Sequence, residues 1–79
     1  MPKFYATFGV GQPLDGYVLP LIAKDEYQAR AYMQEYFNSH YCTVYEEDRW
    51  LKNRRDFAKY GIPSEEELST IDISEYTKD

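Results

Sequence analysis

The chain has 79 residues, one cysteine, a formal charge of −5 and 18 % aromatic residues. A chain this short makes one domain and removes only about 60 to 65 % of its unfolded surface from water, and Cys42, being alone, gives it no internal disulfide. No apolar run approaches the roughly 20 residues of a bilayer span, which excludes a membrane protein, and a lone thiol without a charged-then-apolar leader is read as cytosolic.

Residues 3–10, KFYATFGV, alternate Phe4, Ala6, Phe8 and Val10 with Tyr5, Thr7 and Gly9, the period of a strand. Residues 11–16, GQPLDG, carry the Gly, Pro and Asp that reverse a chain. Residues 17–23 form a second strand, and Pro20, which cannot donate to a ladder, predicts that it lies at an edge. Asp25 is placed to cap a helix, with Gln28 at the capping-box position. Ala29, Tyr32, Met33, Tyr36 and Phe37 then mark one helical face, predicting a helix from Glu26 to about Asn38 that ends at Asn38-Ser39.

Residues 40–45, HYCTVY, predict a third strand with His40, Cys42 and Val44 on one side. Glu46, Glu47 and Asp48 suit the positive end of a second helix. It runs to about Tyr60, where Gly61 fits the position just past a helix end and Pro63 prevents resumption. Its apolar stripe is Trp50, Leu51, Phe57 and Ala58, with Arg54 expected to lay its stem there and snorkel or stack on Trp50. Ser64 to Glu67 has capping-box spacing, predicting a helical turn to Ser69, and residues 70–76, TIDISEY, suggest a weak fourth strand before a disordered end. Acids and bases balance over residues 1–60, so the whole −5 comes from Glu65, Glu66, Glu67, Asp72, Glu75 and Asp79 set against Lys78.

Together these elements predict an α+β fold: a ββαβα domain over residues 1–63 and an acidic, partly ordered extension over 64–79. The expected sheet is three-stranded and antiparallel in the order 2-1-3, with both helices on one face above Phe4, Ala6, Phe8, Cys42 and Val44. The opposite face would then carry Tyr5, Thr7, Tyr41, Thr43 and Tyr45, with Tyr17 joining according to register. Such a face is either solvated sheet surface or a contact surface, since Tyr is enriched at protein interfaces.

No reaction is legible. Gly9-Val10-Gly11 leads into a turn rather than a helix, so it is no dinucleotide fingerprint. His40 and Cys42, at i and i+2 on a strand, stand about 7 Å apart without a third orienting group. One Cys and one His cannot close a zinc site, so no metal and no cofactor is expected, and Cys42 is read as a small buried hydrophobe. The carboxylates of Glu65, Glu66 and Glu67 sit in an exposed cap and do no acid–base work.

Residues 4–12, FYATFGVGQ, together with 45–50, YEEDRW, resemble small proteins of phages and prophages of low-GC Gram-positive bacteria, which begin with an aromatic strand ending Phe-Gly-x-Gly-Gln. The resemblance spans roughly residues 3–60 and implies a setting, with no catalytic residues to transfer. The function expected is therefore a non-catalytic intracellular protein that binds and modulates a host or phage protein, by class analogy a counter-defence inhibitor such as an anti-CRISPR. Tyr5, Tyr17, Tyr41, Tyr45 and the acids Glu65, Glu66 and Glu67 are its candidate contacts, and the tyrosine face also suits a homodimer. The alternative is a nucleic-acid binder using Lys52, Arg55 and Lys59, which share a helical face, or stacking bases on the sheet tyrosines, although net acidity opposes it.

Overall fold

The computed structural model describes residues 2–9, 11–38, 40–61 and 66–77. The expected strand end at Val10, the helix stop at Ser39, Pro63, the Ser64 cap, Glu65 and the last two residues lie outside them. Seven elements follow in order: β1 (Lys3–Thr7), β2 (Tyr17–Ile22), α1 (Glu26–Tyr36), β3 (Thr43–Glu46), α2 (Glu47–Lys59), β4 (Glu66–Glu67) and β5 (Ile71–Asp72). The protein is α+β, with two helices on a mixed sheet ordered β3-β1-β2-β4, β5 pairing β2 beside β4.

β1 lies antiparallel between β2 and β3, with Phe4 opposite Leu21 and Glu46, and Ala6 opposite Leu19 and Val44. The expected 2-1-3 core is therefore present, but β2 is no edge. β4 and β5 pair its outer side in parallel, Val18 matching Glu67 and Leu21 matching Ile71. Pro20 is accommodated because the outer pairing is interrupted at its level. The carbonyls of Gly16, Val18 and Ile22 accept from Glu66, Leu68 and Ile73, so even-numbered positions of β2 face outward and the missing N–H of Pro20 falls between the two short strands. Glu66 and Glu67 are accordingly extended rather than in the helical turn expected there.

The larger correction concerns the helices, which pack on opposite faces of the sheet. α1 covers Phe4, Ala6, Leu19, Leu21 and Val44, into which it inserts Ala29 and Met33; Phe8, Ala23 and Ile73 complete this core. α2 covers the other face, where Trp50 lies over Tyr5 and Val18 with Tyr45 alongside. β3 passes straight into α2 at Glu46 without a loop, and the helix contacts β1 and β3 from that side. The Tyr5 and Trp50 rings stack at 5.7 Å between centroids and 21° between planes, and Tyr45 approaches the indole at 6.0 Å. Tyr5 is thereby only 5 % exposed, where an open tyrosine face was expected.

Local chemistry sets the helix ends. Asp25 accepts from the Gln28 N–H at 2.8 Å, and the Gln28 side-chain oxygen accepts from the Lys24 N–H at 2.7 Å, one residue before the usual capping-box partner. α1 stops where Asn38 turns left-handed (φ 52°), its N–H bonding the Met33 carbonyl. Gly61 (φ 74°) ends α2 in the same way, a conformation that glycine adopts without strain. Cys42 precedes β3 and is exposed rather than buried, with its N–H bonded to the Thr7 carbonyl. Arg30 pairs with Glu26 and donates to the Val44 carbonyl at 3.2 Å, tying α1 to the outer strand β3.

The segment after β5 is clasped to α1. The Gln28 amide nitrogen donates to the Ser74 and Tyr76 carbonyls at 3.1 and 2.9 Å, the Tyr76 hydroxyl bonds Glu35, and its ring meets Tyr32 edge-on at 5.4 Å. Gln28→Glu keeps an acceptor for the Lys24 N–H but removes the clasp donor. It is expected to accelerate amide exchange at Ile73, whose N–H bonds the Ile22 carbonyl, by lowering local opening free energy about 1 to 3 kcal/mol while leaving α1 protected. Trp50→Ala should lower global stability by about 3 to 5 kcal/mol in urea unfolding. Trp50→Phe should cost less, because the indole N–H is buried without a partner among the described residues.

Candidate functional site

α2 is a thirteen-residue helix that buries only Trp50. Its remaining apolar residues are only partly covered: Leu51 and Phe57 are 42 % and 41 % exposed, and Ala58 is exposed as well. At 100° per residue, Leu51 and Ala58 lie within about 20° of each other and about 80 to 100° from Trp50 around the axis. The sheet therefore uses one flank of the stripe and leaves the other to solvent. That free flank forms a groove of about 600 Å³ lined by Asp48, Leu51, Arg54, Arg55 and Ala58. Acids in the first turn and Lys59 in the last suit the helix dipole and hold the stripe in helical form.

The charges around the groove differ in how far they are committed. Arg54, expected to snorkel or stack on Trp50, reaches Glu67 of β4 at 3.6 Å across a half-exposed pair. Lys52, Arg55 and Lys59 are exposed and make no ion pair among the described residues. They remain the shared basic face expected from their spacing, now seen to border the apolar flank.

The other sequence candidates are dispersed. Tyr5 lies under Trp50, and Tyr45 is half-buried beside it. Tyr41 packs against the α1 core, and Tyr17, half exposed, stands one residue before Val18 and so on the α1 side of the sheet. Glu66 and Glu67 are exposed on β4. The structure thus does not gather the four tyrosines into one surface, and Glu65 lies outside the described residues. Sequence reasoning missed the exposed flank of Leu51 and Ala58, since a stripe reads alike whether it faces a core or water. It also missed the aromatic triangle that Tyr32 and Tyr36 of α1 form with Tyr76, because the weak strand period of residues 70–76 does not say which element Tyr76 meets.

A second hollow, about 440 Å³, lies at the end of the sheet where both helices begin, bordered by Lys3, Lys24, Asp25, Glu26, Glu46, Glu47 and Asp48 among others. No group of three or more His, Cys, Asp or Glu among the described residues is arranged to hold a metal ion. Beside this hollow the Lys3 ammonium sits 5.2 Å from the Tyr5 ring centroid. Its interaction with the Tyr5 side chain, aided by Glu47 and Glu67 against slight desolvation, holds the Lys3 pKa above the usual lysine value. Among the described residues, no helix is long and apolar enough to cross a membrane.

Asp72 is the other perturbed group. Hydrogen bonds from the Ser74 side chain and backbone, the latter at 2.9 Å, hold its carboxyl below the ordinary range. A depressed folded value stabilises fully above the unfolded pKa, near 3.9, and the benefit is lost as pH falls through the folded value. Asp72→Asn should therefore show a smaller fall in urea midpoint than the wild type when pH is lowered below about 4, measured across a pH series.

No protein-family model matches the chain, and no curated protein or solved structure shows a significant match to it.

Proposed function

We propose that this chain is a non-catalytic protein-binding domain that docks through the free flank of α2. The observation that carries the reading is that Leu51 and Ala58 stay exposed on a helix already anchored by Trp50, with Arg54 and Arg55 in the same groove. Interface cores combine apolar side chains with arginine, whose stem packs while its head bonds. Exposed apolar residues with uncommitted arginine beside them suit a protein surface better than a purely solvated face. The resemblance of residues 4–12 and 45–50 to phage and prophage proteins supplies the setting, in which such a domain modulates a host or phage protein, a counter-defence inhibitor being one form.

Nucleic-acid binding is the second reading, favoured by Lys52, Arg55 and Lys59, which make no ion pair among the described residues. The neighbouring Asp48, Asp56 and Glu67, together with a net charge of −5, weigh against it, and phosphate binding makes no use of Leu51 or Ala58.

A photocrosslinking residue at position 51, with one at exposed Tyr27 of α1 as control, separates the readings in lysate of a low-GC Gram-positive host. A discrete protein adduct from position 51 alone, abolished by Arg55→Glu in the same chain, is expected. Adducts of equal pattern from both positions would refute docking at α2. Anisotropy with single- and double-stranded probes at low salt should show no binding; binding that weakens steeply with added salt would transfer the function to the second reading.

A further inference from the structure

Asp48, Leu51, Arg55 and Ala58 are spaced 3-4-3 along α2, the rhythm by which one helix packs on another. All four are exposed and line the same groove. We infer that the occupant of this groove is a second copy of the chain, its α2 packed antiparallel about a two-fold axis; the inference rests on the reading of α2 as a docking surface.

Charge decides both the partner and the direction. A parallel pairing sets Asp48 beside Asp48 and Arg55 beside Arg55, which is repulsive. An antiparallel pairing centred between Leu51 and Arg55 places Leu51 of each copy against the Arg55 stem of the other, and Ala58 against Asp48. Arg55 of each copy then comes within reach of Asp48 of the other, twice by symmetry. A two-fold contact requires a patch complementary to itself, and an acid and a base on either side of an apolar residue supply one. Opposed helix dipoles add to the same preference. Ala58 lets the backbones approach, and Arg55 has no ion pair within the described part of its own chain to give up.

Extent sets the strength. A thirteen-residue helix is about 20 Å long, so one helix laid on another covers less than the roughly 800 Å² per partner of a standard interface. The dimer is accordingly a weak one that forms with rising concentration.

Sedimentation equilibrium from about 10 µM to about 1 mM tests this. The wild type is expected to pass from monomer to dimer, and Leu51→Asp to stay monomeric. Asp48→Arg and Arg55→Asp should each weaken self-association at least about tenfold. An equimolar mixture of those two variants should associate, because each then carries the charges the other lacks. That mixture also guards against misfolding, since a variant that had lost α2 could not be rescued by its counterpart. A wild type monomeric throughout, a dimer indifferent to Leu51→Asp, or a mixture no more associated than its components overturns the inference. If the wild type is monomeric while position 51 still gives its Arg55-dependent adduct in lysate, docking at α2 stands and the second copy alone is excluded.

Discussion

The structure depends on β1 being buried on both faces. Phe4, Ala6 and Phe8 sink into the core beneath α1, while Tyr5 and Thr7 are shut in on the side of α2. One five-residue strand thus serves two apolar layers. A chain of this size cannot build one thick core, and here the sheet is shared between two thin ones. The arrangement suits the side chains, because a tyrosine can give its ring to an indole and keep its hydroxyl near the rim. It also uses the aromatic content that composition alone showed as bulk.

Much of this was legible locally. The alternation of residues 3–10 located β1, Asp25 and Gln28 located the start of α1, and Gly61 marked the end of α2, because each signal acts within a few residues. The side of the sheet to which α2 returned was not legible. A strand with Phe on one face and Tyr on the other resembles a half-solvated strand, and nothing in a period of two distinguishes water from an indole above the tyrosine. Pro20 was understood chemically but placed wrongly, since its lost donor requires only a gap in pairing. β4 and β5 supply that gap by being two residues long each; β5 falls within the weak strand suggested over residues 70–76, whereas a helical turn was expected where β4 lies. For the site, the shared face of Lys52, Arg55 and Lys59 followed from spacing alone, whereas the exposure of Leu51 beside it depended on how far Trp50 turns the helix toward the sheet.

Residues after α2 contribute to the fold out of proportion to their regular structure. β4 and β5 occupy the outer side of β2, which would otherwise present unpaired backbone groups to any passing strand. Ile73 enters the α1 core, and Gln28 binds two carbonyls beyond it while completing the cap of its own helix. One side chain therefore links the start of α1 to the far end of the chain. The acidity of this segment is consistent with that role, as Glu66, Glu67, Asp72 and Glu75 are exposed and, among the described residues, Glu67 alone pairs with a cation, Arg54.

α2 is held differently from α1. α1 has two fully buried residues, a capped start and a tie through Arg30 to β3; α2 has one buried side chain, no side-chain bond at its cap, and a half-exposed ion pair to β4. Helices gain most of their stability from the face they bury, so a helix anchored at one aromatic residue gains less from Leu51 and Phe57, which are 42 % and 41 % exposed. Propensity does not explain them, because lysine or glutamate would form the helix as well and keep it soluble. The presence of Leu51 beside Arg55, the residue able to neutralise an acid on a facing surface, is the basis of the proposal that this flank is covered when the protein acts. The same economy that spreads a small core over two faces of one strand leaves Leu51 and Ala58 exposed on the outer half of α2.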